Sequence, residues 1–306
     1  MYDPKLRQIT TEAFSRISSE MKQTAPFMED QFVKWIKHVY GPPSGEYFMH
    51  ATAFPMLLLP WWLEKTYHQN PDAAFQSDLV YSTMNGYFYI RLMDNLMDGH
   101  ATVELKLLPA LNFFHTQFQS PYQRHFEYDH LFWNFFKTVW FYSAEVTMKD
   151  ANLLDINRAQ FVQVTAQKTC AVKIPLAAVC YKYGLVDLIT PWAEFVVLFG
   201  CCHQMWNDLF DWLRDLKRGT NTYFLSEAKR RKHPDEPVAE WVIREGFDWG
   251  METLRTWMNE LKALSRNLNS PDMLAYLDKR ETMLLQKAEE FTVGLQNVAK
   301  LLELLS

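Results

Sequence analysis

Glycine is scarce in this chain, with 10 in 306 residues, and alternating β-type runs are few, while apolar residues recur at spacings of three and four. A backbone with so few turn residues and a 3.6-residue apolar period has one economical outcome, an all-α fold. Helix stops are legible at "QTAP" (23–26), "GPPSG" (41–45), "QNPD" (69–72) and "SPY" (120–122), and "SPD" (270–272) starts the last long segment. In that segment Leu284, Ala288, Phe291, Leu295, Val298, Leu302 and Leu305 trace one stripe. Such a stripe is more often core packing than a dimer seam, and a homodimer through it stays open. No repeat, low-complexity tract or Gly/Ser/Pro-rich linker divides the chain. The expectation is a single helical domain over 1–306, with 1–28 a candidate peripheral helix.

Aromatic residues make up 15% of the chain and include 11 Trp, more than a core alone usually needs, and a large aromatic-lined cavity is one outlet for them. The net charge of −5 argues against a nucleic-acid partner, which calls for a basic footprint. The short block "KRRKH" (229–233) reads as a solvated helix end. Cys170, Cys180, Cys201 and Cys202 form no C-x-x-C pair and read as buried thiols in a reducing compartment. The N-terminus has no signal-peptide layout, and the longest apolar runs, "FPMLLLPWWL" and "TPWAEFVVLFGCC", fall short of the ~20 residues of a membrane span. A soluble cytoplasmic protein without an integral membrane segment is the expectation.

The chemistry concentrates in "HQMWNDLFDWLRDLKRGTNTYF" (203–224). Asn207, Asp211 and Asp215 stand at i, i+4 and i+8, so a helix rising ~1.5 Å per residue stacks them on one face about 6 Å apart; Asp208 points elsewhere. Stacked oxygen donors repel unless something positive lies between them, and Mg²⁺ binds one or two carboxylates together with substrate phosphates. Few basic residues at i±4 neutralise this ladder, and its flanks are Trp206, Phe210 and Trp212. Upstream, "YFYIRLMDNLMDGH" sets Asp94 and Asp98 one turn apart at the C-terminal end of a helix starting near Pro71, where the dipole disfavours carboxylates and a cation would relieve the cost. An isolated D-x-x-x-D is commonly just two solvated aspartates, and Arg91 could simply pair with Asp94 at i+3.

Taken together, these segments resemble the class I isoprenoid synthase superfamily. "RLMDNLMD" (91–98) is similar to the first aspartate motif of squalene and phytoene synthases. "QMWNDLFDWLRDLKRG" (204–219) is similar to their second motif, to the Q-x-x-(D/N)-D-x-x-D motif of trans-prenyl diphosphate synthases, and to the N-D-x-x-(S/T/D)-x-x-x-(E/D) triad of terpene synthases. The resemblance implies an antiparallel helical bundle around a deep apolar cavity, with the two motifs facing each other across its mouth. It implies three Mg²⁺ ions, two on Asp94 and Asp98 and one on Asn207, Asp211 and Asp215, which make a prenyl diphosphate ionise by Lewis-acid stabilisation. Aromatic faces would then hold the carbocation by cation–π attraction.

Within the superfamily, chain elongation is disfavoured. The basic residues expected for a second diphosphate are replaced by "GHATVELKLLP" and "GPPSGEYFMHATAFP". Head-to-head coupling stays open from the first motif, but the middle helix "TAQKTCAVKIPLAAVCYKYG" lacks the small-residue pattern of that branch. The expectation is a terpene synthase, a carbon–oxygen lyase cyclising or rearranging one prenyl diphosphate, with farnesyl diphosphate the default because it is common for the class; a non-enzymatic helical scaffold is the bland alternative. By resemblance or spacing, Arg158, Lys168 (with Thr169), Arg218 and Tyr223 are candidate diphosphate ligands, and each has an ordinary helix-surface or helix-end explanation. Pro175 is expected to kink its helix towards the cavity. Tyr87, Phe199, Gly200 and His203 are candidate wall residues, with Gly200 leaving room for substrate or serving a helix–helix contact and His203 a conceivable final proton acceptor.

Overall fold

The structure, a computed structural model, describes residues 3–40, 46–97 and 104–305 and is helical throughout, with no strand among the described residues. In chain order the helices are α1 (Pro4–Thr24), α2 (Pro26–Tyr40), α3 (Leu58–Tyr67), α4 (Ala73–Met97), α5 (Ala110–Gln119), α6 (Phe132–Asp150), α7 (Arg158–Gln163) and α8 (Lys173–Lys182). They continue with α9 (Ile189–Arg218), α10 (Tyr223–Arg231), α11 (Val238–Trp241), α12 (Phe247–Asn267) and α13 (Pro271–Leu305). The all-α expectation therefore holds. Two compact units divide the chain, residues 1–144 with 170–192 and residues 145–169 with 193–306, so that the division falls inside α6 and near the start of α9.

In the first unit, α1 begins behind an Asp3 N-cap whose carboxylate accepts from the Lys5 N–H, and it buries Leu6, Ile9, Ala13, Ile17 and Met21 at helical spacing. Pro26 opens α2 at its first position, where a missing N–H costs nothing. The α4 helix is buried around much of its girth, with polar Gln76, Ser82 and Asn85 among the buried residues. Phe88 packs among Phe32, Trp35, Phe48 and Phe114 with ring centroids 5.2–6.1 Å apart. Buried Glu64 on α3 accepts from the Asp72 N–H (2.7 Å), Gln76 Nε2 (2.5 Å) and Tyr183 Oη (2.5 Å), tying α3 to the start of α4 and the end of α8.

The second unit is organised by α9, whose residues Phe195, Phe199, Met205 and Leu209 are buried. Gly250 lets α12 approach closely, because a Cβ there would meet Leu209 Cδ1 at 2.6 Å. The α9 helix closes at Gly219 (φ +70°). Thr220 N–H donates to the Asp215 carbonyl and Gly219 N–H to the Leu216 carbonyl, a Schellman motif that needs a left-handed residue at this point. On α13, Leu284 and Ala288 are buried and Phe291 stacks on Phe247, so this part of the stripe is core; Leu295, Val298, Leu302 and Leu305 lie outside the described side chains. An 18-residue window within Val186–Arg218 has mean hydropathy 1.3, so this segment is long and apolar enough to cross a membrane by length and composition, a test that the core helix of a soluble protein also passes.

One segment departs from the sequence reading. Residues 165–183 do not form one α-helix: Thr165–Val172 is 3₁₀, and α8 starts at Lys173. Pro175 removes the N–H that would bond the Ala171 carbonyl and crowds that carbonyl, so α-geometry cannot run through. It lies in the first turn of α8 and does not kink it.

Candidate functional site

The ladder lies on the last three turns of α9. Asn207 is exposed, the Asp211 side chain is 39% exposed and that of Asp215 is 14% exposed, so the face runs from solvent towards the interior of its unit. A guanidinium lies along it. Arg214 Nη2 is 2.6 Å from Asp211 Oδ2, and its Nε is 3.7 Å from Asp215 Oδ1. Spacing at i±4 does not reveal this partner, because Arg214 is i+3 from Asp211 and directly precedes Asp215; the signal was in the sequence at a spacing equally favourable for helix ion pairs. Even so, the Asp215 carboxyl is held above its ordinary value. Burial is the main cause; Asp211 repulsion adds to it, and the Arg214 and Arg218 charges oppose it.

Asp208 points away from the ladder face and is nonetheless part of this electrostatic group. Its side chain is 2% exposed, and Oδ1 accepts from Gln204 Nε2 at 2.9 Å. Oδ2 has no hydrogen-bond partner. Burial pushes this carboxyl up to about 7, with Asp215 and Asp150 adding to the rise; Gln204 and the nearby Phe224 N–H, which does not reach hydrogen-bonding geometry on Oδ2, oppose it. Asp150 in turn holds Lys168, Nζ to Oδ2 3.2 Å. Asp150, Asp208 and Arg214 are the members of this group that sequence reasoning missed.

The remaining candidates of the second unit divide. Arg158 is exposed on α7, where Asn157 forms a capping box with Gln160, and its charge acts on Tyr223 and Cys201. Tyr223 opens α10 behind a Thr222 N-cap and stacks on Phe161 at 4.5 Å, its hydroxyl raised mainly by burial. Arg218 is exposed at the end of α9. Thr169 Oγ1 donates to the Ala166 carbonyl at 3.3 Å.

Packing accounts for two of the proposed wall residues. A Cβ on Gly200 would meet the Ala166 carbonyl oxygen at 2.5 Å, so this glycine serves a helix contact. Phe199 is fully buried, and the guanidinium of Arg280, itself fully buried, lies 4.9 Å from the ring centroids of both Phe199 and Trp206. Arg280 Nη2 donates to His203 Nδ1 at 2.8 Å, which leaves the ring proton on Nε2. Burial and this neighbouring charge push His203 down to about 3, which makes it a poor proton acceptor. A groove of about 560 Å³ between α12 and α13, lined in part by Phe247, Met251, Leu285 and Ala288, takes in none of the ladder residues.

In the first unit, Asp94 lies 3.8 Å from Arg91 Nη1, the i+3 ion pair that competes with a metal role. Asp98 lies outside the described residues. Tyr87 donates to Tyr47 Oη at 3.3 Å and meets Phe48 edge-on at 5.1 Å.

Among the described residues no three His, Cys, Asp or Glu side chains are grouped so as to hold a metal ion. The ladder supplies two carboxylates and one amide, all hard oxygen donors. Such a set suits Mg²⁺ when phosphate oxygens and water complete the shell. Its carboxylates already gather a cation, the Arg214 guanidinium, so the donor chemistry fits. No protein-family model matches the chain, and a search of curated proteins finds no similar sequence.

Proposed function

We propose that the chain is a Mg²⁺-dependent class I terpene synthase, a carbon–oxygen lyase that ionises one prenyl diphosphate and cyclises or rearranges the resulting carbocation. The observation that carries this reading is the α9 face on which exposed Asn207, Asp211 and the 14%-exposed Asp215 follow one another a turn apart, three hard oxygen donors on one helix face. Burial is the main reason that the Asp215 carboxyl stays raised with Arg214 and Arg218 beside it.

In this reading Asn207, Asp211 and Asp215 hold one ion and Asp94 and Asp98 two more. When bound, the ions stabilise charge on the departing diphosphate. Arg158 and Tyr223, which the fold brings within electrostatic reach of each other, bind diphosphate oxygens, as do Arg218 and Lys168. Lys168 must exchange its bond to Asp150 for one to phosphate. Apolar walls, Tyr87 among them, exclude water from the cation. The Phe199 and Trp206 faces turned towards Arg280 already hold a cation, so rings other than these carry the cation–π role. His203 does not take the final proton.

The test is incubation of the protein and Mg²⁺ with geranyl, farnesyl and geranylgeranyl diphosphate separately, with diphosphate release and extracted products measured. Turnover lost in folded Asp211→Asn and Asp94→Asn variants supports the reading; equal turnover in both variants removes it. Head-to-head coupling predicts instead a product of twice the substrate's carbon number from a single diphosphate, with NADPH needed only for a reduced product. The scaffold reading is favoured by one observation, the ion pairing of Arg214 and Arg91 with the acids of the two motifs; it predicts no turnover under either condition.

A further inference from the structure

The ladder carries its own cation, and a metal ion would need the same oxygens. Arg214 spans the interval between Asp211 Oδ2 (2.6 Å) and Asp215 Oδ1 (3.7 Å), one turn apart on α9. Its guanidinium offers several fixed N–H donors to a carboxylate pair that otherwise repels itself. The Arg214 side chain is 54% exposed, so it can turn into water at little cost, whereas Asp215 at 14% would be left poorly hydrated and uncompensated.

We propose that Arg214 is a resident counter-cation of the ladder, which a divalent ion must displace, so that this side chain sets the metal concentration at which the site fills. The proposal rests on the ladder being a metal site. Arg214 keeps Asp211 and Asp215 paired and correctly spaced in the metal-free protein, and it weakens the first binding step in proportion to its own hold on them. Lys217 is exposed on the same turn and carries the same charge but forms no ion pair with either carboxylate, which makes it the natural comparison.

The experiment is titration of Mn²⁺ in the presence of inorganic diphosphate, followed by electron paramagnetic resonance, on the intact chain and on Arg214→Gln, Lys217→Gln and Asp211→Asn, with circular dichroism as the folding check. The expected result is binding by the parent, loss of one bound ion in Asp211→Asn, and for that ion a dissociation constant roughly two- to fivefold lower in Arg214→Gln, the range spanned by one exposed ion pair. Lys217→Gln should stay at the parent value. If the parent binds through Asp211 but Arg214→Gln is unchanged or matches Lys217→Gln, the counter-cation role is overturned and the metal site stands. If Asp211→Asn binds like the parent, or the parent and Arg214→Gln both fail to bind, the ladder is no metal site and both readings fall.

Discussion

Replacing Asp208 with Asn should stabilise the protein, and by an amount that depends on pH. The carboxyl is buried with one oxygen unpartnered, and its pKa rises from 3.8 to about 7 on folding. At ~1.4 kcal/mol per decade, that gap is roughly 4 kcal/mol of destabilisation once the group is ionised in both states. A raised folded value means that the native state binds more protons than the unfolded one between about pH 4 and pH 7, so stability falls as pH rises through that window. The penalty is small below pH 4, about 1.5 kcal/mol near pH 5 and nearly complete at pH 8. Asn has the same shape, and its Oδ1 can still accept from Gln204 Nε2. Urea unfolding followed by tryptophan fluorescence, with a chelator present, should therefore show the Asp208→Asn advantage growing by roughly 2.5 kcal/mol between pH 5 and pH 8 at equal m-values. An advantage independent of pH, or an Asn variant less stable at both, would refute the reasoning, because it would mean that the carboxylate is well compensated as an anion.

Gly200→Ala should lose about 1–3 kcal/mol in thermal unfolding, since the new methyl meets the Ala166 carbonyl at 2.5 Å; an unchanged midpoint would show that the contact yields. Arg280→Met should raise the pKa of His203 from about 3 part of the way towards 6.5, burial remaining as the larger cause. Proton or carbon NMR of the histidine rings reads this directly, and a ring still neutral down to the same pH would discount the Arg280 contribution. Glu64→Gln should cost about 2–3 kcal/mol, because an amide presents a donor to a cluster of three donors; denaturant midpoints measure it, and a loss under 1 kcal/mol would mean that water replaces the network.

Much of the fold was legible because proline and helical periodicity act locally. Pro26 and Pro271 begin helices where the stops at 23–26 and 270–272 place them, and the pattern across α1 selects its buried face. The 3₁₀ stretch 165–172 was not legible as such, since no glycine interrupts it and the cause, Pro175, acts backwards on residues that read as good helix. Within the site, the Asn207, Asp211 and Asp215 spacing was readable from one turn to the next, and so in principle was Arg214. Nothing local marks Arg280 as the partner of His203, 77 positions away.

The amino-acid order alone therefore determined the all-helical class, several helix ends and the common face of three oxygen donors, because backbone dihedrals and i,i+4 geometry are properties of neighbouring residues. Only the tertiary structure decided that Asp208 is desolvated, that Gly200 is spent on a helix contact and that burial, with a guanidinium beside the ring, holds His203 neutral. Desolvation and charge–charge energies depend on distance through space and on the exclusion of water, and neither is a function of separation along the chain.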